Sequence, residues 1–130
     1  MKLKWLNRDL VISSHYFTLC TTEKLFKAAL KNLNIKRSDR PDFVLNWHSD
    51  ATAHYFDNEQ GRTKSCVVCI RNFEAKSTAE VFGLLTHEAV HIWQEIKDAY
   101  GEHTPGREFE AYSIQNIAQR LFTEFERQTK

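Results

Sequence analysis

Residues 77–101 read Ser77-Thr78-Ala79-Glu80-Val81-Phe82-Gly83-Leu84-Leu85-Thr86-His87-Glu88-Ala89-Val90-His91-Ile92-Trp93-Gln94-Glu95-Ile96-Lys97-Asp98-Ala99-Tyr100-Gly101. The first four residues fit a capping box, in which Ser77 accepts from the Glu80 amide and Glu80 reaches back to Ser77. Leu85, Ala89, Ile92 and Ile96 recur at helical spacing, and Gly101 is suited to the left-handed position just past a helix end. The stretch therefore predicts one long helix from Ser77 to about Tyr100, held on a core by that apolar stripe.

Around this helix the chain supplies the parts of a small α+β domain. Downstream, 101–106 reads as a turn. A last helix follows from about Arg107 to Arg127, with Ala111, Ile114, Ile117, Ala118, Leu121 and Phe125 as its apolar stripe. Upstream, Leu25, Phe26, Ala29, Leu30 and Leu33 predict a helix over 22–34, with Lys24, Lys27 and Lys31 on its other side. The segment 35–42 is polar, contains Pro41 and reads as a loop. Three short extended pieces, 43–47, 53–56 and 66–70, predict a small, mainly antiparallel sheet, with a hairpin loop over 57–61.

The 130 residues suit a single domain, 1–130. Apolar residues make up 42% and charged residues 27%, and nine Phe, four Tyr and three Trp can fill a core without disulfide staples. No apolar run approaches the roughly 20 residues of a membrane span, and the basic start lacks the apolar region of a secretory signal. Three Cys point to a reducing, cytoplasmic compartment. Net charge is +1, divided unevenly. Residues 1–76 hold 13 Lys and Arg against 8 Asp and Glu, whereas residues 77–130 hold 5 against 9. The basic half has no dense Lys/Arg run, which argues against nucleic-acid binding.

His87-Glu88-Ala89-Val90-His91 is the pattern His-Glu-x-x-His, placed mid-helix. Residues four apart lie one turn apart on one face, so both imidazoles can reach one ion. Glu88 projects beside them, where it can meet a water held by that ion. A third ligand is sought downstream. Glu110 follows His91 with 18 residues between, Glu108 with 16 and His103 with 11. Glu110 shares a side of the last helix with Ser113 and Ile117, so it should face inward, where a carboxylate is costly unless paired or bound to metal. Glu108, a two-residue step away, points elsewhere. Plainer readings stay open. Two helix histidines can cap a core edge, and Glu110 can be an exposed first-turn acid favoured by the helix dipole.

These residues resemble the gluzincin branch of zinc metallopeptidases, whose aminopeptidases have the same 18-residue gap between the second His and the third-ligand Glu. The run Glu108-Phe109-Glu110-Ala111-Tyr112 is also similar to the third-ligand helix of small predicted metallopeptidases of bacteria and phages. The resemblance covers residues 77 to about 120. It implies a zincin-like α+β fold with a small sheet packed on the active-site helix. It also implies one Zn2+ held by His87, His91, Glu110 and a water, with Glu88 as general base for hydrolysis of a protein or peptide. His103, Tyr112 and Arg107 are candidates for stabilising the oxyanion or binding substrate. The resemblance does not extend to the second domain of the large enzymes, which has no counterpart in these 130 residues. The Gly and third His of the metzincins, which would fall at Gln94 and Lys97, are absent.

Two other functions compete. One is a catalytically silent zinc-binding interaction module. The other is a DNA-associated protease similar to SprT-type proteins, with His103 as third ligand. Cys66 and Cys69 form a Cys-x-x-Cys within an expected strand, where residues three apart face opposite sides, so both read as free buried or half-buried thiols. Cys20 carries no signal. His15, His48 and His54 are scattered, with His54 near the hairpin as a cleft candidate, and Trp93 reads as a packing residue.

Overall fold

The computed structural model describes residues 1–7, 14–57 and 64–130. Its elements are β1 (His15–Cys20), α1 (Glu23–Asn32), β2 (Ala51–Asp57), β3 (Lys64–Ile70), α2 (Thr78–Ala99) and α3 (Arg107–Thr129), with short 3-10 turns at Arg37–Asp39 and Phe73–Ala75. This is an α+β fold of three helices on one three-stranded sheet.

The strand order is β1-β3-β2. β2 pairs antiparallel with β3 from Ala51↔Ile70 to Asp57↔Lys64, and β1 pairs parallel with β3 from His15↔Lys64 to Cys20↔Cys69. The sheet is therefore mixed rather than mainly antiparallel. Between β1 and β3 the chain runs through α1 and then β2, which is antiparallel to both, so the reversal between β2 and β3 leaves β3 parallel to β1. β1 has no sequence signature of its own, because five of its six residues are buried and the alternation expected of a half-exposed strand is missing. The piece 43–47 is not a strand. The Asn46 carbonyl accepts from the Ser49 amide at 2.9 Å and the Asn46 side chain from the His48 amide at 2.9 Å, so the chain turns there. The expected hairpin loop lies, beyond Asp57, outside the described residues, but β2 and β3 are paired to their ends on either side of it.

Strand alternation divides the core in two. Phe17 and Leu19 of β1 and Cys66, Val68 and Ile70 of β3 face α2 and α3, meeting Leu85, Ala89, Ile92, Ile96, Ile117 and Leu121. Cys20, Val67 and Cys69 face the other way, onto Leu25, Phe26, Ala29 and Leu30 of α1. Cys66 and Cys69 thus lie on opposite faces, as a three-residue step in a strand requires. The four-residue stripe of α2 is buried, and removing it from water is the main force seating this helix.

The ends of α2 are fixed locally. Ser77 Oγ accepts from the Glu80 amide and Glu80 Oε1 from the Ser77 amide, each at 3.1 Å. At the other end Gly101 takes φ +70°, its amide donates to Asp98 and the Glu102 amide donates to Lys97, which is a Schellman closure. The closure reverses the chain into α3, which packs along α2.

The two sheet edges differ. Along β1 the N-terminal segment pairs through a Trp5↔Thr18 bridge, with the Leu6 amide donating to the Phe17 carbonyl at 2.7 Å. Among the described residues β2 has a backbone partner on one side only, so it is the open edge. No described helix is long and apolar enough to cross a membrane.

Candidate metal centre

α2 carries His87 and His91 away from its buried stripe, while Glu88 is buried at the border of that stripe. The His87 and His91 rings meet edge to face with centroids 4.7 Å apart, and their Nε2 atoms are 3.1 Å apart. His91 Nδ1 lies 2.9 Å from Gln94 Oε1. A carbonyl oxygen only accepts, so Nδ1 carries the hydrogen and Nε2 of a neutral His91 is left with its lone pair facing His87. Both rings are exposed.

Glu88 is 8% exposed. Burial pushes its carboxyl above the usual carboxylate range, with His87 and His91 pulling against that shift. A buried carboxyl beside two imidazoles, raised above the usual carboxylate range, is suited to taking and giving a proton.

The carboxyl opens into a groove of about 600 Å3, floored by Gly83 and Leu84 of α2 and walled by His48, Asp50 and Ala51 from the start of β2 and the loop before it. Ser49, Lys76, Glu80 and His87 complete its lining. Lys76 Nζ and Asp50 Oδ2 are 2.6 Å apart, and Asn72 donates to Asp50 Oδ1 at 2.9 Å. These bonds hold the Asp50 carboxyl below its ordinary range.

Glu110 lies one turn into α3 and is partly buried, and its Oε2 accepts from the Trp93 indole at 2.8 Å. The inward aim expected of it is observed, while Glu108 is exposed. Trp93 is buried as a packing residue, and it also holds this carboxylate. The structure brings His87 and His91 together with Glu88 beside them. Glu110 does not complete the group, since among the described residues no three His, Cys, Asp or Glu side chains converge as a metal-holding set.

The three candidates for oxyanion or substrate contacts, His103, Tyr112 and Arg107, are exposed and do not line the groove. His54 is not a cleft residue. It is buried on the α1 side, its Nε2 2.9 Å from the Phe43 carbonyl and its ring 4.9 Å from that of Phe26. His48, read as featureless in sequence, does line the groove. Leu84 and Glu80 stand one and two turns before Glu88 and were findable by helical spacing. Asp50, His48 and Lys76 were not, because loops carry no period. Comparison with family models, with characterised proteins and with solved structures returns no match for the chain.

Proposed function

We propose that this chain is a zincin-like zinc metallopeptidase centred on His87, Glu88 and His91. The observation that carries the reading is the imidazole pair. Two zinc–nitrogen bonds of about 2.0–2.1 Å at a tetrahedral angle place their nitrogens about 3.3 Å apart. The two Nε2 atoms stand at 3.1 Å, with the His91 tautomer already set by Gln94. A carbonyl accepting from the far nitrogen of a ligand histidine is the usual outer-shell arrangement. The pair therefore fits two positions on zinc, and Glu110, which does not converge with it in this structure, is the third ligand in this reading once the metal draws it in. Its bond to Trp93 engages one carboxylate oxygen and leaves the second for another partner.

Zinc held by these residues would supply Lewis acidity toward a water and a scissile carbonyl. The chain's own part is proton handling and positioning. Glu88 takes a proton from the attacking water onto its carboxylate and gives it to the leaving amine, and its burial suits both steps. The groove beside it accepts a substrate strand, and β2 offers an open backbone edge for an extended peptide to pair with. Protein or peptide is thus the substrate class.

The test is elemental analysis of protein purified without a metal-affinity tag, together with hydrolysis of an unfolded protein substrate. About one zinc per chain is expected, lost in His87→Ala and Glu110→Ala and kept in Glu108→Ala and His103→Ala. Glu88→Gln should keep the metal and lose turnover. Loss of zinc in His103→Ala rather than Glu110→Ala moves the reading to a SprT-like site. Zinc without turnover leaves a silent binding module, and no zinc after addition of the metal overturns the proposal.

A further inference from the structure

We propose that Trp47 is the specificity residue of the groove beside Glu88, receiving a large apolar side chain of an extended polypeptide. The inference rests on reading that groove as the substrate site, and it adds what the groove selects.

Trp47 is 81% exposed, and Leu45, two residues earlier, is 63% exposed. An indole this exposed leaves a large apolar surface in water. It is not a loose one. Arg71 Nη2 donates to the carbonyls of Asn46 at 3.2 Å and Trp47 at 2.9 Å, and the Asn46 side chain ties back to the His48 amide. The Asp50 carbonyl accepts from the Arg71 amide at 2.8 Å, so the turn is pinned to the end of β3. The Trp47 ring lies over that of His48 with centroids 3.5 Å apart, and His48 lines the groove. Trp47 does not itself line the groove but stands against His48, which does, so the fold presents an aromatic platform beside the groove on a backbone turn already tied down, where ordering costs on binding are small.

The groove floor supports the same reading. Gly83 lies inside α2, where glycine is destabilising relative to alanine. A Cβ built there meets nothing within 4 Å, so packing does not require the glycine. Its effect is to keep the floor low, leaving room for a ligand chain to lie against the helix one turn before His87. Of the charges in the groove, Lys76 and Asp50 are paired with each other and Glu80 is engaged by the Ser77 amide, which leaves Glu88 for the chemistry. The exposed platform is aromatic, and the side chain it fits is apolar.

The test uses the full-length Glu88→Gln chain, incubated with zinc. Five dye-labelled octapeptides, Gly/Ser-flanked and carrying Phe, Leu, Ala, Asp or Lys at one central position, are titrated by fluorescence anisotropy. The Phe and Leu peptides should bind about five- to tenfold tighter than the other three, as one aromatic contact allows. Trp47→Ala should reduce that preference to less than about twofold with zinc content unchanged, and Trp47→Phe should keep it. Gly83→Leu should weaken the Phe peptide by filling the floor. The proposal is overturned if no peptide binds, if the five bind alike, or if the ranking survives in Trp47→Ala. The two readings fail separately. A Trp47-dependent ranking in protein that holds no zinc sinks the metal centre alone. Zinc-dependent hydrolysis with a ranking indifferent to Trp47 sinks only the present inference.

Discussion

Gln94 is exposed on α2 and contributes nothing to the core, yet its carbonyl oxygen decides which nitrogen of His91 carries a hydrogen. If the pair holds zinc, Gln94→Ala should weaken zinc affinity about tenfold or more, the usual effect of deleting an outer-shell acceptor. Stability should change by less than about 0.5 kcal/mol, as for an ordinary surface site. Competition against a chromophoric chelator reads the first quantity and a urea midpoint the second. Gln94→Glu, which restores an acceptor, should recover the affinity, and equal affinity in Gln94→Ala would rule out this role. His54 sets a different residue-level expectation. Burial lowers its pKa from the ordinary 6.5, with the bond to the Phe43 carbonyl opposing, and burial and Lys64 lower that of His15. The unfolded chain therefore takes up protons at a higher pH than the native one. The stability involved is fully present above about pH 6.5 and falls as pH drops through that value toward the native pKa values. Urea midpoints should fall between about pH 7.5 and pH 5.5, with a smaller fall in His54→Gln, where one of the two groups no longer titrates. At this scale His87, Glu88 and His91 were legible because a four-residue step in a helix is a geometric statement. The Trp93–Glu110 bond was not, since a separation of 17 residues across a turn fixes no distance.

Among the elements, α2 is the one whose ends are written most plainly in the sequence. The capping box at Ser77 and the left-handed Gly101 are local chemistry, so both boundaries fell where the residues put them. Ser77→Ala removes the side-chain acceptor of the Glu80 amide and should cost about 1 kcal/mol. A drop of roughly 3–5 °C in the thermal midpoint is expected for a chain of this size, and an unchanged midpoint would mean that the box contributes nothing. The helices were legible because each shows one apolar stripe. The strands were legible only in part. β3 is rich in β-branched residues, and β2 is half exposed. β1 is buried on both faces, so no period of two marks it. The segment 43–47 misled because Phe43 and Val44 pack inward like strand residues while the Asn46 turn ends the extended run. Pairing direction followed from β1 lying on the far side of β3 from β2, an order that no single segment reveals.

For the whole molecule, α3 is the tie between the helical layer and the sheet, held at both ends by polar bonds. At its start Trp93 of α2 donates to Glu110, and at its end Gln128 is bonded to the end of β1 and the residue after it. Gln128 Oε1 accepts from the Thr21 amide at 3.0 Å and the Thr21 hydroxyl at 2.8 Å. Its Nε2 donates to the Leu19 carbonyl at 2.7 Å and to Glu124 Oε2 at 2.8 Å. All four bonds of this amide are made in a side chain only 4% exposed, and Arg127 pairs with Glu124 beside it while donating to the Lys2 carbonyl. Gln128→Ala would take the acceptor from the Thr21 amide and a donor from the Leu19 carbonyl in a buried place, while Glu124 keeps Arg127. A loss of about 2–4 kcal/mol is expected, from roughly 1–3 kcal/mol for each buried group left unsatisfied. That exceeds the cost of Ser77→Ala, although Gln128 lies in the last turn of its helix, where propensity alone predicts little effect. The bonds at the two ends of α3 are independent, so the zinc content of folded Gln128→Ala should equal that of the parent. Urea unfolding beside elemental analysis checks both. A midpoint within error of the parent would mean that apolar packing alone ties α3 to the sheet. A lower midpoint with zinc also lost would mean that the end of α3 positions Glu110 through the length of the helix.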